Sequence, residues 1–217
     1  LSAQDSTHFA DVLAQASSNA NTNVGMMGET FKYVAPVAGA MGYSAEDVAT
    51  AVGLMANSGI KASQAGTSLR SILTRMAKPT KEVQTAMDQL GVSITDSDGN
   101  MKSLHEIMDE LRTGFSGLSE AEKTNMAAAL GGQEAMSGLL AIVNASDGDY
   151  QKLTDSIKNC DGAAANMAET MQNNLGGQLT ILGSTAESLA LEIYESVKSP
   201  LTDMTKLGID AVSNLTE

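Results

Sequence analysis

Apolar residues recur every three or four positions along most of the chain, the spacing that places them on one face of an α-helix. Phe9, Val12, Leu13 and Ala16 show this spacing near the start. Polar or glycine-containing breaks separate the segments. The pattern predicts an all-α fold with helices over 6–20, 26–41, 45–57, 63–78, 79–90, 119–130, 133–144 and 201–215, and with further helices that begin near 103 and 147.

Residues that cap helix N-termini stand before several of these segments. The candidate caps are Ser6, Ser44, Ser63, Ser119 and Asp147, since short oxygen-bearing side chains accept hydrogen bonds from the free amides of a first helical turn. Ser44 and Ser119 are each followed three positions later by an acidic residue, which resembles a capping box.

Prolines and glycines predict where helices stop or bend. Pro36 lies inside the second helix, so we expect a kink or a break near Ala35. Pro79 suits the first turn of the helix that it opens. Gly59 and Gly91 follow apolar periodic segments and are expected to end them in the left-handed conformation.

One short region departs from the helical pattern. Val92 to Thr95 alternates between apolar and polar residues, and the Asp98-Gly99 pair is a tight-turn signal. We therefore predict a small β-hairpin over about 92–104. Two strands alone are marginally stable, so this hairpin is expected to pack on helices.

The last quarter of the chain carries one long apolar stripe after Ala163. Its eight steps cover 30 residues, a mean step of about 3.75, which fits a straight helix roughly 45–50 Å long that Pro200 stops. The stripe is either intrachain core or an assembly seam. We expect a compact helical domain over 1–160 and an extended helical segment over 161–217. The stripe residues are Met167, Met171, Leu175, Leu179, Leu182, Ala186, Leu189, Ile193 and Val197.

The composition narrows the functional classes. The 217 residues carry 13 basic and 26 acidic side chains, a formal net charge of −13, and such a chain repels the phosphates of nucleic acids. Aromatic residues make up 3% and Trp is absent, so the core must come from smaller aliphatic side chains and Met. A single Cys excludes an intrachain disulfide. The first residue is Leu, so we expect a piece of a longer chain.

Basic residues concentrate in one window, 48–81, which holds five of them and no acidic residue. Pairing with the acidic surface of the same chain is the favoured interpretation. Contact with an acidic protein partner is an alternative, and nucleic-acid binding is a weaker one because no aromatic side chain occurs over 44–114 to stack on bases. The five residues are Lys61, Arg70, Arg75, Lys78 and Lys81.

Patterns that carry catalysis or metal binding are incomplete in this chain. His105-Glu106 has no second His four residues on, which a zinc-protease helix needs. Asp96 to Gly99 resembles part of a calcium loop, but Ile94 and His105 fall where acidic ligands belong. Cys160 has only Lys158 as a basic neighbour and is interpreted as an inert thiol. We predict no catalytic residue, no cofactor and no metal site, so the chain is not expected to be an enzyme.

The segment from Ala49 to Leu111 resembles a known family. Its strings Ser58-Gly59-Ile60-Lys61 and Gln64-Ala65-Gly66-Thr67, with the later Gln133 to Leu140, are similar to the core region of phage tail tape measure proteins of the TP901-1 type. The similarity covers about residues 34–145. The motif positions, expected to be structural, are Gly59, Ile60, Lys61, Gln64, Ala65, Gly66, Leu69, Arg70, Pro79, Leu90, Gly91 and Gly99.

The resemblance implies a structural role. Tape measure proteins are helical chains in the lumen and tip of the tail tube that set tail length and leave on delivery of genome or payload. They are made in the bacterial cytoplasm and also occur in tail-like bacteriocins. Implied partners are tail tube and tip or hub proteins, assembly chaperones, further copies of the chain and, briefly, a membrane. The alternative is an interaction or effector domain on a delivered phage-like protein.

Overall fold

A computed structural model describes residues 3–173, 176–192, 194 and 198. Its described part divides into two units, Leu1–Ala165 and Asn166–Glu217, which are described separately below. The helices are α1 (Ala3–Asn19), α2 (Val24–Ala40), α3 (Ala45–Asn57), α4 (Ala62–Ala77), α5 (Lys81–Leu90), α6 (Leu104–Ser116), α7 (Glu120–Gly131), α8 (Met136–Val143), α9 (Asp147–Lys158), α10 (Ala163–Asn173) and a final stretch, α11, over 176–192.

Helix α3 is the centre of the first unit. Every residue from Val48 to Ala56 is buried, so this part of the helix is enclosed on all sides. It contacts α1, α2, α4, α6, α8 and α9. Met55 is fully buried there, and Met27 and Met108 are nearly so on neighbouring helices, consistent with the expected core of aliphatic and Met side chains.

Several N-terminal caps lie where the sequence predicts them. The side-chain oxygens of Ser44 and Ser119 accept hydrogen bonds from the amides three residues later, and Ser119 forms a complete capping box with Glu122. Ser103 forms a second complete capping box with Glu106. Gly91 ends α5 with a φ of 69°, in the left-handed region.

Other predicted helix boundaries are wrong by a few residues. Ser6 lies inside α1. The residue that caps α4 is Lys61 rather than Ser63, and α9 is capped by Ser146, immediately before Asp147. For α4 and α9 the boundary moves to a neighbouring residue in the extended conformation.

Prolines do not act quite as predicted. Helix α2 continues through Pro36 to Ala40, so the helix does not break near Ala35. Pro79 lies outside α5, because the extended Thr80 takes the N-cap position and accepts a hydrogen bond from the Val83 amide.

The predicted hairpin over 92–104 is wrong, since the part of the chain that the structure describes contains no strand. A single antiparallel bridge joins Thr95 to Met101. The Asp96 carboxylate accepts hydrogen bonds from the Asp98 and Asn100 amides at 2.9 Å each and closes a turn around Gly99. Both Asp96 carboxylate oxygens, which a calcium ion would need as ligands, therefore already accept hydrogen bonds within this turn.

The bridge does not extend into a ladder because its flanks bond elsewhere. The Ser93 amide donates to the Glu110 carboxylate of α6 at 3.1 Å, and Lys102 forms an ion pair with the same carboxylate. Ser103 already caps α6. Packing of this loop on a helix, which was expected of a hairpin, therefore limits strand pairing to this one bridge.

Helices α2 and α4 approach each other closely at Gly66. A Cβ atom at this position would lie 2.4 Å from the Thr30 backbone oxygen and 2.9 Å from the Tyr33 Cβ. The Thr30 hydroxyl donates to the Ala62 carbonyl at 2.9 Å and ties the two helices together. Ala62 has a φ of 52°, which residues with a Cβ rarely adopt.

The described part of the second unit is helical and presents apolar side chains to solvent. Met167 is half-buried and Ala186 is exposed, whereas four larger members of the stripe are 57–64% exposed: Met171, Leu179, Leu182 and Leu189. The predicted stripe residues Leu175, Ile193 and Val197 lie outside the described residues, as do Pro200 and the predicted helix over 201–215.

The close approach at Gly66 gives a first prediction. Gly66→Ala should lower the free energy of unfolding by about 1–3 kcal/mol, because the new methyl group meets backbone that cannot move without separating α2 from α4. Urea denaturation followed by circular dichroism measures the change. Gly28→Ala on α2 is the matched control, since a Cβ there meets nothing within 4 Å and alanine favours helix. An equal loss in both variants would contradict the argument.

Candidate functional site

The turn between α3 and α4 carries the first part of the family motif. The amides of Ser58 and Ile60 donate to the Met55 carbonyl at 3.1 and 3.0 Å, and the Gly59 amide donates to Ala56. Gly59 has a φ of 87°, so its left-handed conformation closes α3 as predicted. Ile60 is then directed inward and is 8% exposed.

This turn forms one wall of a surface groove, the motif groove, with a volume of about 710 Å³. The opposite wall comes from α8, the α8–α9 loop and the first turn of α9. The groove thus brings together two parts of the family motif that are more than 70 residues apart. Its lining residues are Leu54, Asn57, Ser58, Gly59, Ile60, Gln64, Ser137, Leu140, Ala141, Asn144, Ala145, Ser146 and Asp149.

The position of α8 is set by close packing on α4. A Cβ at Gly138 would lie 2.9 Å from the Ser68 Cβ and 3.3 Å from the Met55 methyl group. Gly138 belongs to the second part of the motif, and Ser68 follows the first. A small residue at this contact therefore holds α8 against α4.

Arg75 of α4 closes the end of α7, just before α8. Its guanidinium donates to the Leu130 and Ala129 carbonyls at 3.0 Å each. The Ser71 hydroxyl donates to the Gly131 carbonyl at 3.2 Å. The last carbonyls of a helix have no partner within the helix, so these long-range donors stabilise the α7 terminus and fix the start of the α7–α8 connection.

Arg112 of α6 closes the other end of α8 in the same way. It donates to the Ile142 and Ala145 carbonyls at 3.0 and 2.8 Å and forms an ion pair with Asp147 at 2.7 Å. The guanidinium also lies 4.6 Å from the centre of the Tyr150 ring. Burial, with a smaller contribution from Asp109, raises the pKa of this phenol, which keeps it neutral.

The motif positions divide into buried and exposed groups. Ala65, Leu69 and Leu90 are buried and belong to the core. Gly59, Ile60 and Gln64 line the motif groove. The remaining positions are separate from the groove: Lys61 as the N-cap of α4, Gly66 at the α2–α4 contact, exposed Arg70 and Pro79, and Gly91 and Gly99 in turns of positive φ.

The basic window does not pair with the acidic surface of the chain within the described residues. Arg75 bonds to carbonyl oxygens, and no ion pair to a carboxylate forms at the other four positions there. Arg70 and Lys78 are exposed on α4 and at its end. The favoured interpretation from sequence is therefore wrong for this part of the chain.

Sequence reasoning missed the charged residues that fix helix ends. The sequence identifies Arg75 only as a basic residue of the 48–81 window, and Arg112 and Asp11 carry no signal in it. Asp11 is 6% exposed and accepts hydrogen bonds from the Gly162 and Ala164 amides at the start of α10. Their partners lie 30 to 153 residues away, and only the fold brings them together.

The chemistry of the motif groove suits recognition. Its polar groups are amides and hydroxyls together with the Asp149 carboxylate, which accepts a hydrogen bond from the Ser146 hydroxyl at 2.7 Å. Leu54, Ile60 and Leu140 supply apolar surface. A groove of this kind can hold a side chain or a short segment of another protein.

Comparison with known proteins defines the class. The sequence model of the phage-related minor tail protein family matches residues 1–132, so the chain belongs to this family of phage tail proteins. It is 43% identical over 201 residues to the tape measure protein of Pneumococcus phage Dp-1, which covers 93% of this chain and 18% of that protein.

Two further relatives agree with this assignment. The probable tape measure protein of Escherichia phage P2 is 31% identical to this chain. The matched region covers 99% of this chain and 27% of the phage P2 protein. The probable tape measure protein of Clostridium phage phiCD119 is 25% identical, and the match covers 94% of this chain and 22% of that protein. No solved structure matches. The chain thus spans about a fifth to a quarter of its relatives.

These relatives confirm the resemblance to phage tail tape measure proteins that the sequence shows. The effector alternative is not favoured, because the relatives are named as tape measure proteins. The described helices include none that is both long enough and apolar enough to cross a membrane.

Two arginines on one helix provide the next prediction. Arg75→Ala should lower the free energy of unfolding by about 1–3 kcal/mol, because the α7 carbonyls lose charged donors at a half-buried terminus. Arg70→Ala, on the exposed side of α4, should stay within about 0.5 kcal/mol of the parent. Denaturant titration measures the free energy of unfolding of both variants. Similar decreases in the two would show that Arg75 contributes only through its charge and not through its hydrogen bonds to α7.

Proposed function

We propose that this chain is a section of a tape measure protein in which a folded domain docks on tail components and a helical segment contributes to measured length. Membership in the minor tail protein family carries the proposal. The relatives are several times longer than this chain, because the matched region covers only 18% and 27% of the first two. The folded domain corresponds to 1–160 and the helical segment to 161–217, as the sequence predicts.

The helical segment supports a length-setting role through its surface. Apolar side chains along α10 and α11 are exposed, and the stripe residues Leu182 and Leu189, which lie two turns apart on one side of α11, are 64% and 57% exposed. Such a face requires another surface in the assembled particle. Further copies of the chain or the wall of the tail tube are the proposed partners.

Deletion of residues 168–195 from the parent gene tests this role. At about 1.5 Å per helical residue, loss of 28 residues should shorten the tail by roughly 40 Å. Electron microscopy of the particles measures tail length. The control replaces the same residues with an unrelated helical sequence of equal length, which should preserve tail length. Unchanged tails after deletion would place the measuring function elsewhere.

The motif groove is the proposed docking surface for a tail tip or hub protein. Gln64 belongs to the family motif, yet its side chain is exposed at the groove and forms no hydrogen bond to the described part of the chain. The fold therefore does not explain this residue, whereas contact with another tail protein would. Assembly chaperones, and a membrane during delivery, are further proposed contacts that rest on the family resemblance.

A substitution at Gln64 tests docking without disturbing the fold. Gln64→Arg should reduce the yield of complete tails severalfold, because a longer charged side chain fills the groove, while the free energy of unfolding changes by less than about 0.5 kcal/mol. Gln89→Arg, at an exposed glutamine of α5, is the matched control. Normal assembly with Gln64→Arg would argue against docking through this groove.

A further inference from the structure

Three potential metal ligands meet where α1 contacts the end of the first unit. His8 of α1 lies beside Cys160 and Asp161 of the α9–α10 connection, and one ligand atom from each residue falls within 4.8 Å of the other two. His8 Nδ1 is 3.8 Å from Asp161 Oδ1. The residues are about 150 positions apart in sequence, so their spacing along the chain gives no motif.

Glu46 of α3 orients the histidine. Its Oε1 lies 2.7 Å from His8 Nε2, and because a carboxylate only accepts hydrogen bonds, Nε2 carries the proton. In neutral imidazole, Nδ1 then has the free electron pair, on the side of Cys160 and Asp161. A carboxylate behind a ligating histidine is the usual second layer of a zinc site.

The loop that carries the other two ligands is held in place by Asp11. This buried carboxylate accepts hydrogen bonds from the Gly162 and Ala164 amides at 3.1 and 2.8 Å. Cys160 is 1% exposed and lies at the inner side of the cluster. The His8 and Asp161 side chains are 45% and 99% exposed and can adjust from the solvent side.

We propose that His8, Cys160 and Asp161 bind a divalent transition-metal ion, with Zn²⁺ the best match to imidazole, thiolate and carboxylate ligands. Three protein ligands leave a fourth position for water. Ligand atoms around tetrahedral zinc are about 3.3–3.8 Å apart, so the cluster must contract slightly. Ca²⁺ and Mg²⁺ are disfavoured, because the site offers one carboxylate and a sulfur atom.

Metal binding would join α1 to the α9–α10 connection. Coordination of a metal ion by the Cys160 sulfur would release the thiol proton to solvent. The bound ion would then link the two ends of the first unit across most of its sequence. This site is independent of the motif groove and of tail-length setting, so its failure would leave the proposed function unaffected.

Titration of the full 217-residue chain with Co²⁺ tests the site. We expect a thiolate-to-cobalt charge-transfer band that saturates at one equivalent and disappears when Zn²⁺ displaces cobalt. Cys160→Ser should abolish the band, and Glu46→Gln should weaken cobalt binding about 10–100-fold. Saturating Zn²⁺ should raise the Tm by roughly 5–10 °C at a hundredfold excess over Kd.

Two comparisons keep this test decisive. His105→Asn changes the other histidine and should leave the charge-transfer band intact. His8→Asn alters a partly exposed side chain, so it should fold and lose metal affinity even if Cys160→Ser is unstable. The proposal is overturned if the parent chain shows no charge-transfer band, or if His8→Asn binds cobalt as tightly as the parent.

Discussion

Short helices packed closely together leave many amide and carbonyl groups near the interior, and each needs a hydrogen-bond partner. In the first unit, charged side chains from helices distant in sequence meet part of this need. Arg75 and Arg112 bond to the final carbonyls of α7 and α8, and Asp11 bonds to the first amides of α10. The guanidinium groups also complement the negative end of each helix dipole.

The motif groove depends on this arrangement. Helix α8 forms one wall of the groove and spans only Met136–Val143, too short to be stable without its neighbours. Arg75 fixes the connection that precedes it, Arg112 fixes its last turn, and Gly138 allows it to touch α4. The scarcity of aromatic residues fits this packing, since small side chains allow helices to approach closely.

Local signals in the sequence predicted much of the fold. Caps such as Ser44, Ser103 and Ser119 act within three residues, so their partners are visible in the sequence itself. The hairpin was mispredicted because alternation over 92–95 cannot reveal that the Ser93 amide would bond to Glu110 of α6. The cap of α9 was a missed local signal, since the Ser146 hydroxyl accepts a hydrogen bond from the Asp149 amide three residues later.

The candidate site shows the same limit. The family resemblance identified part of each wall of the groove as strings of residues, but composition and spacing could not place them opposite each other. Composition and spacing also could not predict that His8 lies close to Cys160, because the contact between α1 and the α9–α10 connection depends on the fold of the whole first unit. The sequence alone therefore did not predict contacts between residues that lie more than one helical turn apart.

The structure also separates two reasons for which a residue can belong to the family motif. Ala65, Gly66 and Leu69 lie at contacts where a larger or polar side chain would disrupt the packing of α4, so the fold accounts for them. Gln64 shares the same helix and faces outward at the groove. On α4 the motif therefore combines buried contacts with the exposed residues Gln64 and Arg70, and of these two only Gln64 lines the groove that we propose as a docking surface.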